Sequence, residues 1–513
     1  MPQRYFDVVV LGMRTGALVC AALLARRDFR VLVVGDGYLP ATYRLGPLPL
    51  RRRTFAHLGA TAPSYRRLLA ELAQTQAFRR RLRPLDPMFQ VLDGRSRLDV
   101  SPEPSVFARE LDRELPGTRG PIEELHAGLG RVNGAIDSVL DQDAVWPPGT
   151  FWERRETGRL RDALPEVPAV LPVDAGYRRI VELGARFASH LASDANDPLP
   201  PLATARLHAA WTRGPFELPG DEDESVAQLV ERIRAHGGEV RSTEHCEAIL
   251  QQRGRVRGVI LDGDGEETGA GFVITDRPAA RIVDRVREFP FDRHEPHPAS
   301  QVARRRFVMS LVVSNDLVPA PLARLSFLRA PDHRMPDVLL HRATFAGPEA
   351  MLTERNAELW VCEVLFGPAA MPGFDGELRA REAVLATVRA HFPFIDRHVL
   401  VIDSPHDGAP IFARLEGDEL RALPRNELRP GGGSLAAEPA EPQYRRFAEA
   451  FAGIGGEPIR TPVDHLLTVA PTVLPALGVE GEMLAAWGAA RLVTKTDRKR
   501  ERMRREMWSK IEI

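Results

Sequence analysis

The chain has 513 residues, 44 % of them apolar, and a formal net charge of −1. That length exceeds one compact core and predicts two or three domains. A charge this close to zero excludes bulk electrostatic attraction to nucleic acid.

Cys20, Cys246 and Cys362 stand far apart with no CxxC pair. This argues against a disulfide framework or a zinc site and fits a reducing cytoplasm. Lysine occurs only at Lys495, Lys499 and Lys510, while arginine is abundant, as a GC-rich genome would give. No signal peptide precedes the first strand-like run, and no stretch is long and apolar enough to span a bilayer. The expectation is a cytoplasmic protein, with peripheral contact at the inner membrane face as the alternative.

In chain order, Phe6 to Leu11 is a β-branched run suited to a buried parallel strand. Gly12 to Gly16 forms a turn, Ala17 to Arg27 a helix, and Arg30 to Val34 a second buried strand. This is a βαβ unit of Rossmann length. Its fingerprint, G-x-G-x-x-G/A, reads Gly12-Met13-Arg14-Thr15-Gly16-Ala17. Gly12 suits the tight turn and Ala17 the close helix–strand packing. Arg14 stands where the fingerprint has a glycine that lets a pyrophosphate approach the backbone. The second strand should end in an acid for the ribose hydroxyls; Gly35 is there instead, and Asp36 follows one step later.

Residues 71–215 read as largely helical, with loops at Trp146–Gly149 and Asp197–Pro201. Asp221 to Ser225 is an acidic start for a helix over Val226–His236, which Gly237-Gly238 turns into a strand at Glu239–Arg241. Short strands follow at Ala248–Leu250, Arg255–Leu261 and Phe272–Thr275, with a turn at Asp262-Gly263-Asp264-Gly265. Arg306–Val313 and Leu359–Phe366 read as strands of a sheet with one covered face. Gly431 to Ser434 reads as a flexible loop. Arg460 to Ala470, then Val473 to Glu482, reads as a strand, a glycine-bearing turn and a last helix.

Taken in order, the βαβ unit, "GGEV", "GRVRGVILDGDGEE", "FVIT" and this last element resemble the phytoene desaturase family, within the amine-oxidase-like flavoproteins. The resemblance covers most of the chain. It implies an α/β fold with a Rossmann-type FAD/NAD(P)-binding domain, discontinuous over 1–70, 216–297 and 456–497. An α+β substrate domain over 71–215 and 298–455 and a basic tail over 498–513 complete it. FAD is the implied cofactor, with Gly12, Arg14, Gly16, Ala17 and Asp36 along the dinucleotide, Ala248 facing the adenine, and Gly478 and Gly481 beneath the flavin. The family strand before the last helix ends in a glycine and a polar residue; here Ala470-Pro471-Thr472 stands there, and Pro471 removes an amide donor. Arg14, Gly35 and Pro471 are thus three departures in one ligand site.

No HExxH, GxSxG or Walker A pattern occurs, and no catalytic residue or metal ligand is assigned. Asp403-Ser404-Pro405-His406-Asp407 has the residue types of a hydrolase without the spacing, and reads as a turn. The runs Arg51–Arg53, Arg79–Arg81 and Arg304–Arg306 read as solvated element ends, with contact to anionic lipid or ligand phosphate as the alternative. Met503, Met507 and Ile511 repeat on one face of the basic tail, with Trp508 beside them. That stripe fits an anionic membrane surface, or packing on the protein itself.

Two functions remain in view. One is a flavin-dependent desaturase or oxidase acting on an apolar lipid or polyene. The other is a pseudo-oxidoreductase that has lost FAD and serves as a binding or scaffold protein, with a protein partner, as the Rab GDP-dissociation inhibitors do on the same fold.

Overall fold

The computed structural model describes residues 4–45, 48–59, 62–94, 96–194, 197–262, 267–289, 301–316, 318–332, 335–343, 356–367, 374–414, 420–423, 437–445 and 451–508. The turn predicted at Gly263–Gly265, the loop at Gly431–Ser434 and the tail beyond Trp508 lie outside the described residues.

Strand β1 (Arg4–Leu11) starts exposed and ends in four buried residues. Its sheet adds β2 (Val31–Val34), β3 (Glu239–Arg241), β4 (Cys246–Gln252), β5 (Arg255–Leu261), β6 (Glu267–Thr275), β7 (Val286–Phe289) and β8 (Leu466–Thr468). The spatial order is β7-β4-β5-β6-β1-β2-β3, with β8 beside β6. The strands β3, β2, β1, β6 and β8 run parallel, while β5 is antiparallel to both its neighbours. A strand with parallel partners on both sides and covered faces must be apolar throughout, which is why β2 reads Val-Leu-Val-Val.

Helix α1 (Thr15–Arg26) is buried at every position from Gly16 to Ala25. It packs against the sheet and against a later helix, Val479–Thr494. Gly16, Ala17, Cys20, Ala21 and Ala22 let the backbones approach, so α1 shows no polar face. Three further helices matter below: α2 (Phe151–Asp162), α3 (Asp221–Ala235) and, after the Val479–Thr494 helix α4, α5 (Arg498–Trp508). Among the described residues, no helix is long and apolar enough to cross a membrane.

The second sheet is built on Val302–Ser314 and Ala357–Phe366, which pair antiparallel over ten positions. Glu441–Tyr444 runs beside the start of the Val302 strand. The region expected to be largely helical also contributes a hairpin, Phe89–Asp93 with Ser96–Val100, which joins this sheet beside Leu325–Leu328. Its alternation is only five residues long on each side of a turn, too short to stand out among the surrounding helices. Leu98 and Val100 face the core there.

The arginine runs split: Arg79, Arg80 and Arg81 are exposed, as expected of solvated ends, while Arg51 and Arg306 are buried. Arg51 is buried and pairs with Asp221 at 3.0 Å, Arg52 with Glu438 at 2.6 Å and Arg53 with Glu222 at 2.6 Å. Arg81 pairs with Glu224 and Arg306 with Glu363. All four acids at the start of α3 therefore face arginines, since Asp223 also approaches Arg51 at 3.4 Å. The acidic start helps the helix, and the same charges fasten the segment 51–53 beside it. The Asp403–Asp407 segment is structural: Tyr43 donates to Asp403 at 2.6 Å, Ser404 to the Val308 carbonyl at 2.7 Å, and Arg381 pairs with Asp407.

Candidate functional site

The loop from β1 to α1 meets β6 at Gly12. Gly12 has φ +104°, and its missing side chain leaves room for the Asp276 carboxylate, which a Cβ there would overlap. Asp276 is the first residue after β6, and it accepts the Arg14 backbone N–H at 3.1 Å. Two residues on, the Gly16 N–H points at Glu482 Oε2 of α4, 3.4 Å away. Two protein carboxylates therefore lie on the amides at the start of α1, where the helix dipole favours negative charge. His190 Nε2 holds the other Glu482 oxygen at 2.9 Å.

The Arg14 side chain spans from this point to the second sheet. Its Nη1 lies 2.9 Å from Glu441 Oε1, and its Nη2 lies 4.0 Å from Glu482. Arg53 reaches the same Glu441 oxygen at 3.6 Å. Burial alone would raise Glu441, yet Arg14 and Arg53 hold it well below the usual carboxylate range. Burial likewise works against Glu482, and the His190 hydrogen bond and Arg14 bring it below its ordinary value. For Asp276 the balance reverses: burial pushes it up to about 6 against the pull of the Arg14 N–H and the Arg14 and Arg277 charges.

Gly35 has its own packing reason. A Cβ there would overlap the Ser242 carbonyl, which follows β3, so no side chain fits. Asp36 is buried, at φ +47°. Arg285 holds it at 2.8 Å and Arg277 at 3.0 Å, and the Cys246 N–H adds a third bond at 3.2 Å. Pro471 and Thr472 are buried, and Thr472 donates to Glu457. Burial pushes Glu457 up to about 7, against that bond and the Ala279 N–H.

A cavity of about 640 Å³ runs from this cluster between the two sheets. Gly12, Arg14 and Asp36 line it; Gly16, Ala17, Ala248, Gly478 and Gly481 do not. Gly16 serves helix packing, since a Cβ would come within 3.0 Å of the Val469 carbonyl. Gly478 and Gly481 similarly admit the Ala188 and Leu474 carbonyls. Ala248 is buried inside the β4–β5 hairpin, away from the cavity. The charged end of the cavity is the Arg14 cluster. Its other end is aromatic and aliphatic: His57 sits 5.0 Å from the Tyr65 ring and 5.2 Å from Phe78, with Phe55, Leu68 and Leu72 around them. Burial brings His57 down to about 4, so it is neutral at physiological pH.

Sequence reasoning found Arg14 but missed Asp276, Glu482, His190 and Glu441. Asp276 had a usable signal, because it directly follows a parallel strand at the carboxyl edge where such sheets bind ligands. Glu441 had none, lying 427 residues from Arg14.

No protein-family model matches the sequence, and no curated protein is similar to it. Solved structures are similar in shape. An oxidoreductase from Methanosarcina mazei matches over 92 % of this chain and 98 % of its own, at 16 % identity and a TM-score of 0.54. A triple mutant of putrescine oxidase, from a redesign of cofactor binding, matches over 96 % and 99 %, at 13 % identity and a TM-score of 0.56. Wild-type putrescine oxidase bound to putrescine matches over 96 % and 99 %, at 12 % identity and a TM-score of 0.53. The chain thus has the fold of the Rossmann-type FAD/NAD(P)-binding oxidoreductases, with an α+β part beside the Rossmann-type sheet.

Proposed function

We propose that this chain is a pseudo-oxidoreductase: it keeps the oxidoreductase fold without FAD and uses the cavity to bind an apolar small molecule or lipid. One observation carries the reading. The amides that would receive a pyrophosphate at α1 already face Asp276 and Glu482. A diphosphate brought there would meet two carboxylates within a few ångströms, and like charges at that range repel by several kcal/mol in a partly dry site. Arg14 does not relieve this, because Glu441 already engages it. Asp36 is already held by two arginines. The residues present do not fit FAD in its usual position. What they leave is the aromatic end of a cavity of about 640 Å³ in all, whose apolar lining suits a small apolar ligand.

A second reading, a phytoene-desaturase-like flavin oxidoreductase for an apolar lipid or polyene, is favoured by the fold and by the cavity's course past Gly12 and Asp36. The visible spectrum of the purified protein separates them. The expected result is no flavin bands and no uptake on incubation with FAD, together with an apolar molecule in an organic extract of the protein. Flavin at near one per chain would overturn the first reading.

A further inference from the structure

Helix α2 begins with two bulky side chains in solvent. Phe151 is 64 % exposed and Trp152 70 % exposed, and their rings touch edge to face at 5.5 Å. They do not hang on a loose end. Thr150 and Glu153 close a capping box at the start of α2, and Arg460 holds Glu153 at 3.2 Å. Arg154, Arg155, Arg159 and Arg161 are exposed on the same short helix. Arg155 and Arg159 follow Phe151 at helical spacing on its face, and the Arg155 guanidinium lies 5.9 Å from the Trp152 ring.

The C-terminal helix joins this region through one acid. Asp143 takes Arg491 at 3.2 Å and Arg504 at 2.9 Å, and Arg491 also takes Glu156 of α2 at 2.7 Å. Helix α5 keeps Arg500, Met503, Arg504 and Met507 at least partly buried, and presents Arg498, Lys499, Arg502 and Arg505 to solvent. Of the stripe expected either at a membrane surface or packed on the protein itself, Met503 and Met507 are half-buried, and α5 presents charge to solvent.

We propose that the start of α2 is an insertion point for an anionic lipid membrane. Phe151 and Trp152 enter the interfacial layer, and the arginines of α2 with the exposed bases of α5 meet the phosphate headgroups. Aromatic side chains ringed by arginine suit the boundary between acyl chains and headgroups. Two such side chains bury about 400 Å² at most, too little for a specific protein interface of about 1,000 Å². The proposal is independent of what the cavity holds.

Flotation of the full-length protein with vesicles tests it, using phosphatidylcholine alone and phosphatidylcholine with about one-third phosphatidylserine. Wild type should float only with the anionic vesicles. The pair Phe151→Ser and Trp152→Ser should lower partitioning about tenfold or more. The pair Arg155→Ser and Arg159→Ser should lower it about fivefold per charge. Trp152→Phe should keep partitioning but lose the blue shift of tryptophan emission on vesicle addition. All these positions are exposed, so unfolding temperatures should match wild type. The proposal is overturned if wild type ignores anionic vesicles, or if the double serine variant floats as well as wild type. It is also overturned if the aromatic pair instead drives a dimer, seen by sedimentation and lost in that variant.

Discussion

Arg14 decides little by itself. Its side chain reaches across to Glu441, but its backbone N–H is taken by Asp276, and Gly16 faces Glu482. Replacing Arg14 with glycine therefore removes bulk and leaves both carboxylates in place. We expect Arg14→Gly alone to gain no FAD. Combined with Asp276→Asn and Glu482→Gln, it should gain measurable binding, read as quenching of flavin fluorescence. Uptake by the single variant would show that bulk, not charge, is the barrier. Asp276 also carries a pH signature. Its folded value of about 6 lies above its ordinary 3.8. The ionised form is thus a burden that grows as pH rises from about 4 and is complete above about 6. Asp276→Asn should raise the unfolding temperature by a few degrees at pH 8, with a smaller gain at pH 5. A gain that is equal at both pH values would contradict this.

At the scale of elements, β2 and β3 lie so close at their ends that position 35 admits only glycine. The missing ribose acid is a consequence of that crossing. Gly35→Asp should not create a cofactor contact; it should cost about 3 kcal/mol through collision with the Ser242 carbonyl, visible as a drop in unfolding temperature. Helices α1 and α4 show a related effect. Both are buried almost all round, so helical periodicity is weak in their sequences, and alanine richness alone pointed to α1. The hairpin at Phe89–Val100 escaped for the opposite reason, since its strands are short and its partners, Leu325–Leu328, come more than two hundred residues later.

At the scale of the molecule, the two chain ends are tied together. Arg500 of α5 lies 3.1 Å from Asp7 and stacks on Phe29 at 4.0 Å, and Arg504 is buried against Asp143. Deleting residues 496–513 should therefore lower stability by about 3 kcal/mol without any membrane present, checked by thermal unfolding in detergent-free buffer. An unchanged unfolding temperature would mean that α5 is not docked as described. For the same reason the truncation is a poor test of membrane contact, and point changes at Phe151 and Trp152 are better.

From the sequence alone came the βαβ unit, the order of the later strands and the presence of an arginine in the fingerprint. These depend on local periodicity and on residues within about thirty positions of one another. Only the tertiary structure decided what meets that arginine. Glu441, Glu482 and Asp276 come from three distant segments, and Arg51 and Arg306, read as surface, are turned inward to Asp221 and Glu363. Charge pairing in a folded protein is set by which backbones pack together, and a charged residue looks the same in sequence whether its partner is water or a buried carboxylate. The fold was legible because strands and helices announce themselves locally. The state of the dinucleotide site was not, because it rests on side chains that only packing brings within 4 Å.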